Sequence, residues 1–244
     1  MLDLSIHSYC AHCRIAIGKV NAFAPEDIRE LDDLLAHCEA LFPDTVRVLS
    51  SESQCVSPGG LKVFCAGADQ KVRAGWSNAR ILAYLAYQRR VIHRLRMSPV
   101  WVISCVDGLA LGLGVEICLA SDFVLAGEEA FWGFPEKDWG IVPGAGGFAW
   151  AHGWAEKTEL AQEMIRTGER IDREHAQYLG IADILCDGAD FCSMSEAFAL
   201  ELAGLDPDEQ RDRKKRRHEK IDYEKYFALE QSAYRQCLEN RVVK

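Results

Sequence analysis

Several features that would tie a protein to a membrane or a nucleic acid are missing from this chain of 244 residues. No apolar run approaches the ~18 residues that a spanning helix needs. The opening "MLDLSIHSYCAHC" lacks the basic segment and continuous apolar stretch of a secretory signal. Lysine and arginine number 28 against 37 aspartates and glutamates, a formal charge of -9, which argues against a generic nucleic-acid binder. The expectation is a cytoplasmic protein without a membrane or nucleic-acid partner. An anionic ligand stays open, because a local basic patch works inside an acidic protein.

Familiar catalytic signatures are missing too. The seven histidines form no HExxH or comparable cluster, and there is no GxSxG and no GxxxxGK[ST]. Metal, serine-hydrolase and P-loop chemistry are therefore unsupported, and no metal is expected. The ten cysteines include one CxxC (Cys10 to Cys13) with no second pair at zinc spacing. Several sit in apolar runs (Cys65, Cys105, Cys118), where a thiol behaves as a small hydrophobe, so reduced cysteines are expected rather than a disulfide scaffold.

What is present is a core: 49% of the residues are apolar. "RIAIGKV" (14–20) alternates as a strand, with Cys10 and Cys13 near a turn. Residues 25–41 read as an amphipathic helix burying Ile28, Leu31, Leu35, Cys38 and Leu41, with Pro25, Glu26 and Asp27 suited to its first turn. Strands follow at 45–51 and 61–67, an arginine-rich helix at 77–97, and "VWVISCVDG", too apolar for anything but a buried strand. "GLGVEICLAS" reads as a short helix, 122–127 as a strand and 132–147 as a loop. Helices at 157–167 and from Asp172 to Gly180, a strand at "IADILCD" and a capping box "SMSE" opening a helix at 194–203 complete the core. The alternation gives an α/β fold over residues 1–190 with a helical C-terminal region over 191–244.

Glu116 stands out: a lone carboxylate in "GLALGLGVEICLAS" (108–121), after three glycines. The glycine spacing is GxxxGxG rather than GxGxxG, which argues against a dinucleotide site. Free amides at the helix start would still stabilise negative charge such as an enolate oxygen. Glu116 is either a first-turn acid answering the helix dipole or a desolvated carboxylate fit for proton transfer. Glu136 in "FPEKDWG" is either a solvated loop acid or its partner in an acid/base pair. The basic run "RDRKKRRHEK" (211–220) is a solvated helix face or a contact for phosphates or an acidic surface.

Three stretches in register, "KVFCAGADQK" (62–71), "DGLALGLGVEICLASDFVLA" (107–126) and "FPEKDWGIVPGAGG" (134–147), resemble the crotonase superfamily of enoyl-CoA hydratases and isomerases. "VNAFAPEDIRELDDLL" (20–35) and "TGERIDREHAQYLGIADIL" (167–185) extend the resemblance over roughly residues 14–190. It implies a spiral of ββα units with a helical C-terminal region serving trimerisation and as an active-site lid, a trimer or dimer of trimers, and an acyl-CoA thioester substrate. No cofactor is implied beyond the coenzyme A of that substrate. It implies an oxyanion hole from the backbone N–H groups of Ala68 and Leu113, and coenzyme A contacts at Ala66, Asp69, Gln70 and Lys71. Acids at both hydratase positions, Glu116 and Glu136, imply hydration of a 2-enoyl-CoA. An isomerase, decarboxylase or C–C hydrolase of the same superfamily, or a non-catalytic crotonase-fold protein binding a partner through residues 213–217, are the alternatives.

Two departures from the family carry expectations of their own. Leu113 stands where hydratases usually have glycine, so an isobutyl group must be housed beside the pocket and left-handed torsions there would be costly. The end "LENRVVK" stops short of the usual final helix, leaving Arg and Lys of 211–217 as candidate phosphate contacts. Trp76, Trp132, Phe134 and Trp139 would suit an aromatic or cyclic acyl group.

Overall fold

In the computed structural model, which describes residues 1–7, 10–51, 55–188 and 191–241, the chain winds as a spiral of similar turns. It opens with β1 (Leu2–His7) and β2 (Cys10–Ile15), then β3 (Ala22–Phe23) and α1 (Pro25–Leu41). The next turn is β4 (Val46–Ser51), β5 (Val63–Cys65), β6 (Gly67–Ala68) and α2 (Asn78–Arg96). The third is β7 (Val102–Val106), β8 (Leu109–Leu111) and α3 (Leu113–Ala120). Then come β9 (Phe123–Ala126), β10 (Phe131–Gly133), a 3-10 turn at Pro135–Trp139, α4 (Gly147–Gly153) and α5 (Thr158–Thr167). β11 (Ile171–Asp172), α6 (Arg173–Tyr178), β12 (Ile184–Leu185), α7 (Phe191–Ala203), α8 (Pro207–His218) and α9 (Tyr223–Arg241) finish the chain.

The first turn gives β1 and β2 to a six-stranded sheet, ordered β1-β2-β4-β7-β9-β12. Each later turn gives one strand to that sheet and one to a smaller sheet, ordered β11-β10-β8-β5, while β3 pairs with β6 in a two-stranded sheet. β1 joins antiparallel, while the strands from β2 onward run parallel. β7 lies in the middle with every residue buried, which explains its uninterrupted apolar sequence. The main core packs α1, α2 and α3 on the sheets through residues such as Phe23, Leu31, Phe64, Ile92 and Trp132. A second cluster lies beneath α7, and a third joins Leu85 of α2, Ile141, and Tyr234 and Leu238 of α9.

Two expected elements are displaced. The early strand is Cys10–Ile15, paired on both edges, rather than 14–20: Gly18 and Asn21 adopt φ of 56° and 50°, and the chain turns there. Cys10 and Cys13 therefore lie buried within a strand, and no disulfide forms among the described residues. Leu41, at the end of α1, is exposed. Ser193 caps nothing, since α7 already runs from Phe191 and the Ser195 hydroxyl donates back to Phe191 O within the helix. Among the described residues no helix is long and apolar enough to cross a membrane.

Candidate active site

Two close approaches of backbone build the site. Gly67 has φ 102°, and a Cβ there would stand 3.0 Å from Leu111 O and 3.7 Å from Leu113 N, so only glycine lets β6 pass against the start of α3. Asp69 N–H donates to Phe23 O (2.8 Å), and strand alternation turns the neighbouring Ala68 N–H to the other side. Leu113 N–H, at the first position of α3, has no acceptor within its own helix. The two amides named from the sequence thus lie on adjoining segments.

Leu113 is housed beside the pocket as expected, lining the recess with its side chain buried in the main core. It does not strain the backbone: it is helical, and the positive torsion falls on Gly112 (φ 52°). A Cβ on Gly112 would meet Glu136 Oε1 at 2.5 Å, so this glycine admits the second carboxylate.

Glu116 and Glu136 both line one small recess, about 20 Å3, with Ala68, Gln70, Arg73, Leu85, Gln88, Leu113, Ile141, Val142, Gly144 and Tyr234. That is room for one water and no more. Glu116 is 2% exposed, and its Oε1 accepts from Ala145 N–H (2.6 Å) and Gly147 N–H (3.0 Å). Burial pushes its carboxyl up to about 7, helped by the charge of Glu230 and opposed by those two amides and Arg89. Glu136 is half-buried as a residue, but its Oε2 is wholly buried and without a partner. Burial, then the charge of Glu116, pushes it up to about 8, against weaker pulls from its own backbone N–H and then Arg73.

Glu230 on α9 was not singled out in the sequence, where it lies in an ordinary charge-dense stretch. It is fully buried, pairs with Arg89 Nε (2.7 Å), and accepts from Gly146 N–H and Ala149 N–H, both at 3.1 Å. The amides at the start of α4 are thus divided between Glu116 and Glu230. Burial raises the Glu230 carboxyl, and Arg89 pulls it back. Asn21, also missed, holds β5 in place: its Nδ2 donates to Val63 O (3.0 Å) and Phe64 O (3.1 Å), while its Oδ1 accepts from Ile17 N–H. The signal available for it was a single asparagine before a helix, too common to read.

The coenzyme A candidates divide. Ala66 N–H is engaged by Val20 O (3.1 Å), Asp69 Oδ1 accepts from Lys71 N–H (2.9 Å), and Lys71 is exposed beside them. Gln70 instead lines the recess between the glutamates. The basic run is only partly a free face. Lys214 is buried against Asp122 (2.7 Å) and Val100 O, Arg217 donates to Asp122 O, and Arg213 pairs with Glu209 on its own helix. The four aromatic residues named for an acyl pocket do not line the recess: Trp132 and Phe134 are fully buried in the core, Trp139 is half exposed, and Trp76 meets Tyr84 edge-on with Arg80 over its ring. Tyr234 is the aromatic side chain that does line the recess.

Known proteins resemble this chain over most of its length. The family model described as enoyl-CoA hydratase/isomerase matches residues 15–240. The Bacillus subtilis protein YngF, assigned by name to enoyl-CoA hydratases/isomerases, is 30% identical over 89% of this chain and 82% of its own length. An enoyl-CoA isomerase/hydratase of Mycosarcoma maydis is 35% identical over 57% of this chain, which spans about half (51%) of that relative. The crystal structure of an enoyl-CoA hydratase from Bacillus anthracis superposes with a TM-score of 0.79 at 26% identity, over 96% of this chain and 89% of that one.

Proposed function

The chain belongs to the enoyl-CoA hydratase/isomerase family, and from that premise we propose that it hydrates a 2-enoyl-CoA to a 3-hydroxyacyl-CoA. The observation that carries this reading is a recess holding two carboxylates and space for one water. Both groups are raised toward neutrality and differ in how they are held. Glu116 takes two amide donors on one oxygen, which favours its ionised form. Glu136 has a buried oxygen without a donor, which favours its protonated form. Ionised Glu116 draws a proton from water as the oxygen adds to the β-carbon. Glu136 then delivers a proton to the α-carbon. Between these steps the thioester oxygen carries enolate charge, held by the N–H groups of Ala68 and Leu113. Each such donor is worth about 10²–10³ in rate.

Coenzyme A would lie along the 66–71 segment, with exposed Lys71 available for its phosphates. Cytoplasmic placement belongs to the same proposal, and so does a trimeric or dimer-of-trimers assembly, which rests on the family resemblance. The test is incubation with crotonyl-CoA, following loss of the conjugated enone absorbance. Wild type should clear the absorbance, and Glu116→Gln and Glu136→Gln should each cut kcat by about 10²–10⁴ with far smaller changes in KM. Near-normal turnover by either variant overturns its assigned role. Shift of the double bond without water addition would make the chain an isomerase.

A further inference from the structure

One wall of the recess is wrong for a plain hydrocarbon chain. Arg73 leaves the turn that follows Ala68, is 6% exposed and lines the recess beside Gln70 and Gln88. Its guanidinium lies over the Tyr84 ring at 4.6 Å, and one terminal nitrogen donates to Gln88 Oε1 at 2.8 Å. Its Nε is buried with no hydrogen-bond partner, and so is the Tyr84 hydroxyl beside it.

The other buried cations are placed differently. Arg89 faces Glu230 and Lys214 faces Asp122, both as ion pairs. Arg47 and Arg96 each leave one buried nitrogen without a partner as well, but they donate to main-chain carbonyls and do not line the recess. Among the described residues Arg73 has no carboxylate within 4.0 Å, and its recorded bond is to an uncharged amide. Glu136 lines the same recess but forms no ion pair with the guanidinium. An aliphatic acyl tail packed on this wall would seal off an unpaired guanidinium N–H, at a cost of several kcal/mol.

We propose that the acyl group this site takes ends in a carboxylate, making the substrate a monothioester of a short unsaturated dicarboxylic acid, with Arg73 as the residue that binds the distal carboxylate. This rests on the reading above that places the acyl group in the recess. Arg73 and Ala68 both line this one small recess, so the guanidinium and the oxyanion amide bracket a short chain. Leu85, Ile141 and Val142, which line the same recess, pack the intervening methylenes.

The experiment is calorimetric binding of two unreactive saturated probes, glutaryl-CoA and butyryl-CoA, to wild type, Arg73→Met and Arg73→Lys. A charge-assisted bond formed on binding predicts that wild type holds glutaryl-CoA about tenfold or more tighter than butyryl-CoA. That ratio should fall to near one in Arg73→Met, with Arg73→Lys between the two. Equal binding of the probes to wild type, tighter binding of butyryl-CoA, or a ratio unchanged in Arg73→Met overturns the proposal. Failure to bind either probe overturns both this proposal and the functional reading. A glutaryl preference without turnover of crotonyl-CoA or glutaconyl-CoA overturns the hydratase reading and leaves this one standing.

Discussion

Two carboxyls raised into the neutral range make pH the most direct probe of single residues. With Glu116 required ionised and Glu136 required protonated, kcat/KM should rise with pH through about 7 and fall again through about 8, a narrow bell. Those limbs belong to a pair that interact, with Glu230, Arg89 and Arg73 contributing to the field around them. Stability moves the other way. An acid whose folded value is raised keeps its full contribution below its unfolded value, about 4.3, and loses it as pH climbs through the folded one. Glu136→Gln should therefore melt at higher temperature than wild type at pH 8–9 and at a similar temperature at pH 4. A difference that does not vary with pH would show that Glu136 is not buried in its charged form. Gly112 is a further residue-scale test. Gly112→Ala places a methyl on Glu136 Oε1, so turnover should fall by about tenfold or more while the fold, read by circular dichroism, persists.

At the scale of elements, α8 and α9 act by what they bury. Lys214 and Asp122 are 4% and 2% exposed, and removing one member leaves the other a buried, uncompensated charge. Lys214→Met should lower the unfolding free energy by about 3–5 kcal/mol in urea titration. Arg213→Gln, in an exposed pair on the same helix, should cause no measurable loss. That contrast separates a structural lysine from the solvated face that the basic run suggests in sequence. Elements with a strong period were legible: α1 spans Pro25–Leu41 as its apolar spacing predicts, and Ser77 caps α2. The N-terminal strand was not, because Ala11, Cys13 and Ile15 alternate no more cleanly than the turn residues after them. The register there comes from pairing with β4, a contact distant in sequence.

The whole molecule supplies what no segment encodes. Glu116 was legible because a lone charge in an apolar run demands an explanation. Its convergence with Glu136 was not, since the two are joined only by the packing of α3 against the 135–147 segment. Glu230 and Arg73 were illegible for the same reason: their burial is tertiary, and in sequence they resemble surface charges. Closure of the recess is likewise a property of the assembly. With room for a single water, it admits an acyl group only when α9 or the 141–144 segment gives way. Tyr234→Ala should enlarge the recess and lower the KM for hexenoyl-CoA relative to crotonyl-CoA. An unchanged ratio would place the acyl group elsewhere.

The sharing of the α4 amides between Glu116 and Glu230 carries a reciprocal consequence. Because the Glu230 charge makes Glu116 harder to ionise, linkage requires that a proton on Glu116 make ionised Glu230 easier to hold. The tail helix thus reports on the proton inventory of the centre. Amide hydrogen exchange along α9, corrected for intrinsic rates, should slow as pH drops past 7 and quicken above it, so a spectator segment registers each change of charge at the heart of the molecule.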